Sequence, residues 1–278
     1  MSTLFDIIRE LGAEAALADI VVLGAGAAIF AIWAAKIILG RNPLADSRPR
    51  RNNLHFFSPL IPFAILLIVA PAAVPTGIDD WQTAAIGNTV LCAGGLLAIV
   101  ASLVLAHRHF ARRLKGWGLD FKSVFRDAGA AFVNLLAVSP VFLTAVVLTL
   151  FCARLFVSPD FELPHHEGLD LITEYSQLPV RISMIILAVV IAPVSEEMLF
   201  RGFIQTMFLS HLRRPWVSVA ITSGLFAAVH PDVAHWPALF VLSMCMGYAY
   251  EKSGSLLRPI FIHAMFNGTS VLAALYAQ

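Results

Sequence analysis

The chain has 278 residues, of which 59% are hydrophobic and 13% charged, with a mean hydropathy of +0.80. A water-soluble domain carries roughly 45–50% apolar and about 25% charged residues, so this composition places the chain in the membrane class. A net charge of +1, without a basic run interleaved with aromatics, excludes nucleic acid as a partner.

The N-terminal stretch, "MSTLFDIIRELGAEAALADI", is acidic and lacks a basic n-region, so it does not read as a cleaved signal peptide. A bilayer-crossing helix needs roughly 20 apolar residues. Candidate spans in chain order are 18–39, 55–74, 84–106, 130–156, 181–203, 215–231, 236–250 and 259–276. The expected fold is all-α: one polytopic domain over 1–278 with about eight spans enclosing a polar cavity. Pro59, Pro62 and Pro71 make the second span irregular, and the seventh is short. Cys92, Cys152 and Cys245 sit far apart inside apolar runs and give no CxxC or disulfide framework.

The connections alternate in charge. Arg41, Arg48, Arg50 and Arg51 follow the first span; Arg108, Arg112, Arg113, Lys115, Lys122 and Arg126 follow the third. Arg213 and Arg214 follow the fifth, and Lys252 and Arg258 precede the eighth. Between them lie Asp79 and Asp80, then Asp160, Glu162, Glu167, Asp170 and Glu174, then Asp232. Lys and Arg favour cytoplasmic loops, so the basic connections are expected inside and both termini outside, in the cell membrane. Residues 116–127, "GWGLDFKSVFRD", mix aromatics with both charge signs and are expected along the inner interface.

Within the fifth span, "APVSEEMLFRGFIQ" puts two carboxylates and a guanidinium into an aliphatic run. Glu197 and Arg201 are four apart and share a helical face, so they can pair. Glu196 lies about 140° round the helix from Arg201 and needs another partner. An ionised group at the bilayer centre costs about 2.5–3.5 kcal/mol on insertion scales, which points to the bundle interior or a wet cavity. Later spans are broken by "LFAAVHPDVAHWP", with Phe226 and His230 four apart, and by "RPIFIHAMFNGTS", with His263 and Asn267 four apart. A His and an Asn on one face can donate to one point, as an oxyanion requires. His235 and the "HHE" at 165–167 fall in loops and carry little weight.

Together "EEMLFR", "FAAVH" and "HAMFN" resemble the motif set of the CPBP family, intramembrane endopeptidases related to the CAAX prenyl protease and to bacteriocin-processing proteins. The resemblance covers a motif-bearing core at about 180–276. It implies that Glu196, helped by His230, activates a water; that His263 and Asn267 stabilise the oxyanion; and that Glu197 and Arg201 hold the motif helix. Phe226 is expected to wall the site against lipid. The partners it implies are membrane lipid and a membrane-anchored protein or peptide substrate, prenylated in the CAAX branch. No cofactor is expected. The alternative is Zn²⁺ on Glu196, His230 and His263, although no HExxH is present. Two other classes stay open: an ion-coupled transporter using the same intramembrane groups, and a non-catalytic immunity or scaffold protein.

Depth sets a further condition. His230 lies about 20 Å along its helix from Trp216, whereas His263 is only five residues from Arg258. One site contains both if 251–258, "EKSGSLLR", folds into the bundle or if the sixth helix starts below the membrane surface; the first is expected, with the site nearer the cytosolic side.

Overall fold

A computed structural model describes residues 17–72, 81–164 and 174–276. Asp79, Asp80, Glu167, Asp170, the 165–167 triplet and the start of the N-terminal stretch lie outside the described residues. Among the described residues nine helices carry the fold: α1 (Leu17–Ile38), α2 (Leu60–Ala72), α3 (Trp81–His109), the short α4 (Arg113–Trp117), α5 (Val124–Phe156), α6 (Leu178–Leu212), α7 (Pro215–Ala228), α8 (Trp236–Ser253) and α9 (Leu257–Tyr276). The protein is thus an all-α, polytopic membrane protein. Each of the eight expected spans contains a helix, and among the described residues four meet both the length and the apolarity of a crossing: Trp81–His109, Phe121–Phe156, Leu178–Leu212 and Leu257–Tyr276. Stretches of α1, α2 and α7 are apolar but shorter.

Helix α6 is the central element and packs against α3, α7, α8 and α9. Gly95 of α3 allows its approach there, since a Cβ would collide with Ile191 of α6, while Gly94 faces Val69 of α2. Gly94, Ala98, Ser102 and Ala106, each four apart, are buried on one face of α3, as small residues are at close membrane-helix contacts. Ile32, Ile68, Phe132 and Leu148 stay more than half exposed, as lipid-facing side chains should.

The basic connections gather at one end of the bundle. Ala111 N donates to Arg51 O (3.1 Å), Lys252 Nζ to Pro43 O (2.8 Å) and Trp216 Nε1 to Asn42 (3.2 Å). The turn from α8 to α9 is tight and inward. Gly254 ends α8 at φ 69°, and Ser255, Leu256 and Leu257 are buried. Leu256 N donates to Gly118 O (2.8 Å), and Arg258 pairs with the fully buried Asp127 at 3.0 Å. Gly118, at φ 109°, has no room for a Cβ against Gly254 and Leu256.

One expectation changes here. Residues 116–127 do not all lie along an interface, because Trp117, Gly118 and Leu119 are buried. Trp117 gives its indole N–H to Gly202 O of α6 (2.8 Å) and packs on Phe203. That buried hydrogen bond draws the segment inward, leaving Phe121 and Phe125 at 71% and 93% exposed.

Candidate active site

The local winding of α6 frames the site. Pro193 has no N–H, and two stretches, Leu187–Ile191 and Met198–Gln205, are wound as π-helix with i→i+5 bonds. Such bulges recur at functional sites. Ala192 N reaches Leu187 O in this winding. The next bond would run from residue 193 to Ala188 O, and proline cannot make it. Asn267 fills the gap by donating Nδ2 to Ala188 O at 2.8 Å.

Glu197, just before the second stretch, and Arg201 within it pair at 2.6 Å, both with no exposed side-chain surface. Arg201 also donates through Nη2 to Ser243 Oγ (2.6 Å) and Ser243 O (3.2 Å) on α8. Its guanidinium stands 4.8 Å over the Phe226 ring. His263 Nδ1 lies 3.1 Å from the same Glu197 oxygen. The Glu197 oxygen that Arg201 donates to is an acceptor, so the Nδ1 proton faces Glu197 and Nε2 is left for other chemistry.

Phe226 is the hub. It is 1% exposed, with ring centroids 4.9 Å from His230, 5.7 Å from His263 and 5.1 Å from Phe200. His230 turns Nδ1 to Phe226 O at 2.7 Å, and Trp236 donates to His230 O at 3.0 Å. A carbonyl only accepts, so His230 carries its proton on Nδ1 and offers a lone pair at Nε2.

Glu196 differs from its neighbour. No hydrogen bond or ion pair among the described residues engages it, and its Oε2 is shut away from solvent without a donor. Glu197 Oε2 is likewise buried without a partner. The three sequence blocks therefore meet around Phe226, but His263 and Asn267 are engaged by different partners rather than by one point. Among the described residues no group of three His, Cys, Asp or Glu side chains is arranged to hold a metal. Glu196, His230 and His263 do not fit the zinc alternative as they stand.

The sequence reading missed the continuation of the polar face. Beyond Glu197, residues 201 and 205 on α6 meet 243, 247 and 251 on α8, both sets at four-residue spacing. Gln205 Nε2 donates to Gly247 O (3.1 Å) and Glu251 Oε1 (2.8 Å). Glu251 in turn accepts from Ser47 (2.7 Å) and Arg50 (3.3 Å) in the α1–α2 connection. The available signal was Gln205, one turn beyond Arg201 on the same face. The Trp117 contact was missed too; a Cβ at Gly202 would collide with its ring.

Comparison with known proteins places this region. Residues 178–269 match the family model "Type II CAAX prenyl endopeptidase Rce1-like". An uncharacterized 24.3 kDa protein of Escherichia coli is 35% identical over 78 residues, 27% of this chain and 36% of that protein. The match thus spans about a third of that relative's length. The UPF0177 protein YxdF of Lactococcus lactis is 26% identical over 182 residues, 63% of this chain and 92% of that protein. No solved structure matches. Residues 178–269 are therefore similar to the Rce1-like type II CAAX prenyl endopeptidases, the group that the three sequence blocks resemble.

Proposed function

We propose that the protein is an intramembrane endopeptidase that hydrolyses a peptide bond of a membrane-associated protein or peptide with a carboxylate-activated water. The observation that carries this reading is the contrast between adjacent carboxylates. Glu197 is shared by Arg201 and His263, while no hydrogen bond or ion pair among the described residues engages Glu196. A general base needs a free lone pair within reach of its water, and Glu196 has one.

In the proposed reaction Glu196 takes a proton from water, and the hydroxide attacks the scissile carbonyl carbon. His230, protonated at Nδ1, accepts a hydrogen bond at Nε2 and orients that water. The tetrahedral oxyanion forms on the former carbonyl oxygen. His263, held at Nδ1 by Glu197, donates Nε2–H to the oxyanion when both ring nitrogens carry protons; a fixed donor in a water-poor site is worth several kcal/mol. Collapse breaks the C–N bond, and the proton on Glu196 passes to the leaving amine. Asn267 commits one amide hydrogen to Ala188 and retains a second for the oxyanion. No step is routed through a metal.

The basic end is proposed to face the cytosol of the cell membrane, following the bias of Lys and Arg. The family match supports a membrane-tethered peptide as substrate class and leaves prenylation as a variable to test. Purified protein is offered a library of membrane-anchored peptides with and without a C-terminal prenyl group. Cleavage by wild type and its loss in Glu196→Gln support the proposal. Ion flux in proteoliposomes without cleavage would identify a transporter; neither activity would leave a scaffold.

A further inference from the structure

The basic end holds a cavity of about 470 Å³ between the α1–α2 connection, the start of α4 and the end of α8. Arg48, Arg50, Arg51, Arg112 and Lys115 line it, against the acids Asp46 and Glu251. Glu251 is already committed to Ser47, Arg50 and Gln205, and Lys115 stands 3.8 Å from Asp120. Arg48, Arg51 and Arg112 have no acidic partner among the described residues. Their grouping is not an accident of mobile side chains. Ala111 N donates to Arg51 O and Asn53 N to His109 O (3.1 and 3.0 Å), and Asn52 pairs with Phe110, so the backbones bearing Arg51 and Arg112 are tied together.

We propose that this cavity binds the phosphate of an anionic phospholipid. Arg48, Arg51 and Arg112 line one hollow without an ion-pair partner among the described residues, Asp46 alone does not balance them, and an anion between them relieves their mutual repulsion. Their planar donor forks match phosphate oxygens. Apolar side chains at the same ends of the flanking elements favour a lipid over a soluble phosphate. Ile38 and Leu39, just before the α1–α2 connection, are 83% and 77% exposed, and Phe121 and Phe125 stand out beyond α4. A headgroup in the cavity leaves acyl chains beside such residues. This site is independent of the peptidase chemistry.

The full chain in neutral detergent is mixed with phosphatidylglycerol or phosphatidylcholine, and retained lipid is measured by native mass spectrometry. A third arm uses inorganic phosphate, read by thermal shift. Phosphatidylglycerol is expected to be retained at least about tenfold better than phosphatidylcholine. The triple variant Arg48→Gln/Arg51→Gln/Arg112→Gln should lose on the order of 10²-fold of that affinity. Arg213→Gln/Arg214→Gln removes charge at the same end outside the cavity and should stay within about threefold of wild type. If the triple variant does not fold, Arg51→Gln and Arg112→Gln singly should each lose about fivefold. Equal retention of both lipids, or an equal loss in the Arg213/Arg214 control, overturns the site. Stabilisation by inorganic phosphate matching that by phosphatidylglycerol overturns the lipid assignment.

Discussion

The two halves of the chain bury polar groups very differently. Twelve of the sixteen buried polar or charged residues described lie between Ser195 and His263, whereas Ser58, Asn88, Ser102 and Asp127 are scattered through the first half. Their treatment of proline shows the same contrast. Pro140 in α5 frees the carbonyl of Leu136, and Gly26 of α1 brings its backbone against that oxygen. Pro193 in α6 frees the carbonyl of Ala188, and a specific side chain, Asn267, answers it. In the first half a small residue and close packing suffice. In the second, named side chains on different helices satisfy one another, so single changes there should have larger consequences.

The largest effect is expected at Glu196. Glu196→Gln keeps the volume and removes the base, so turnover of any cleaved peptide should fall by about 10²–10⁴ with the melting temperature unchanged. Wild-type turnover in a folded variant would remove Glu196 from the chemistry.

Next comes the Glu197–Arg201 couple. Glu197→Gln or Arg201→Leu leaves a buried charge without its counterpart and should cost about 3–5 kcal/mol, measured by thermal unfolding in detergent. The double variant should recover part of that loss. Single variants of undiminished stability but abolished activity would instead make the pair catalytic.

Asn267 offers a sharper test of the comparison. Asn267→Leu strands Ala188 O and should cost about 1–3 kcal/mol. Adding Pro193→Ala supplies a backbone N–H for that carbonyl and should restore much of the stability without Asn267. Failure of the second change to compensate would show that Asn267 does not act through the proline gap.

The smallest effect belongs to the lipid-facing first half. Ile32→Ala and Ile68→Ala, at 60% and 73% exposed, should each shift stability by under about 0.5 kcal/mol. Losses comparable with those at Arg201 would erase the distinction between the halves.

Much of this protein was legible in one dimension. Runs of apolar residues announced the helices, because a chain in lipid must satisfy its own backbone and helices do so locally. The gathering of the basic connections at one end follows the charge alternation. Four-residue spacing predicted the Glu197–Arg201 contact, since both ends of that bond lie on one helix. Glu196 was marked as the unpaired carboxylate for the same local reason.

What spacing within one helix does not encode, the tertiary structure decided. Arg201 reaches Ser243, Gln205 reaches Glu251, and Trp117 enters α6 at Gly202. Each contact depends on the rotation and depth of two helices, and no periodicity in a single segment fixes either. His263 and Asn267 share a face in sequence, yet one faces Glu197 and the other Ala188. Pro193 and the π-wound turns of α6 shift where its carbonyls and carboxylates stand, and packing against α9 brings His263 to Glu197 and Asn267 to Ala188 O.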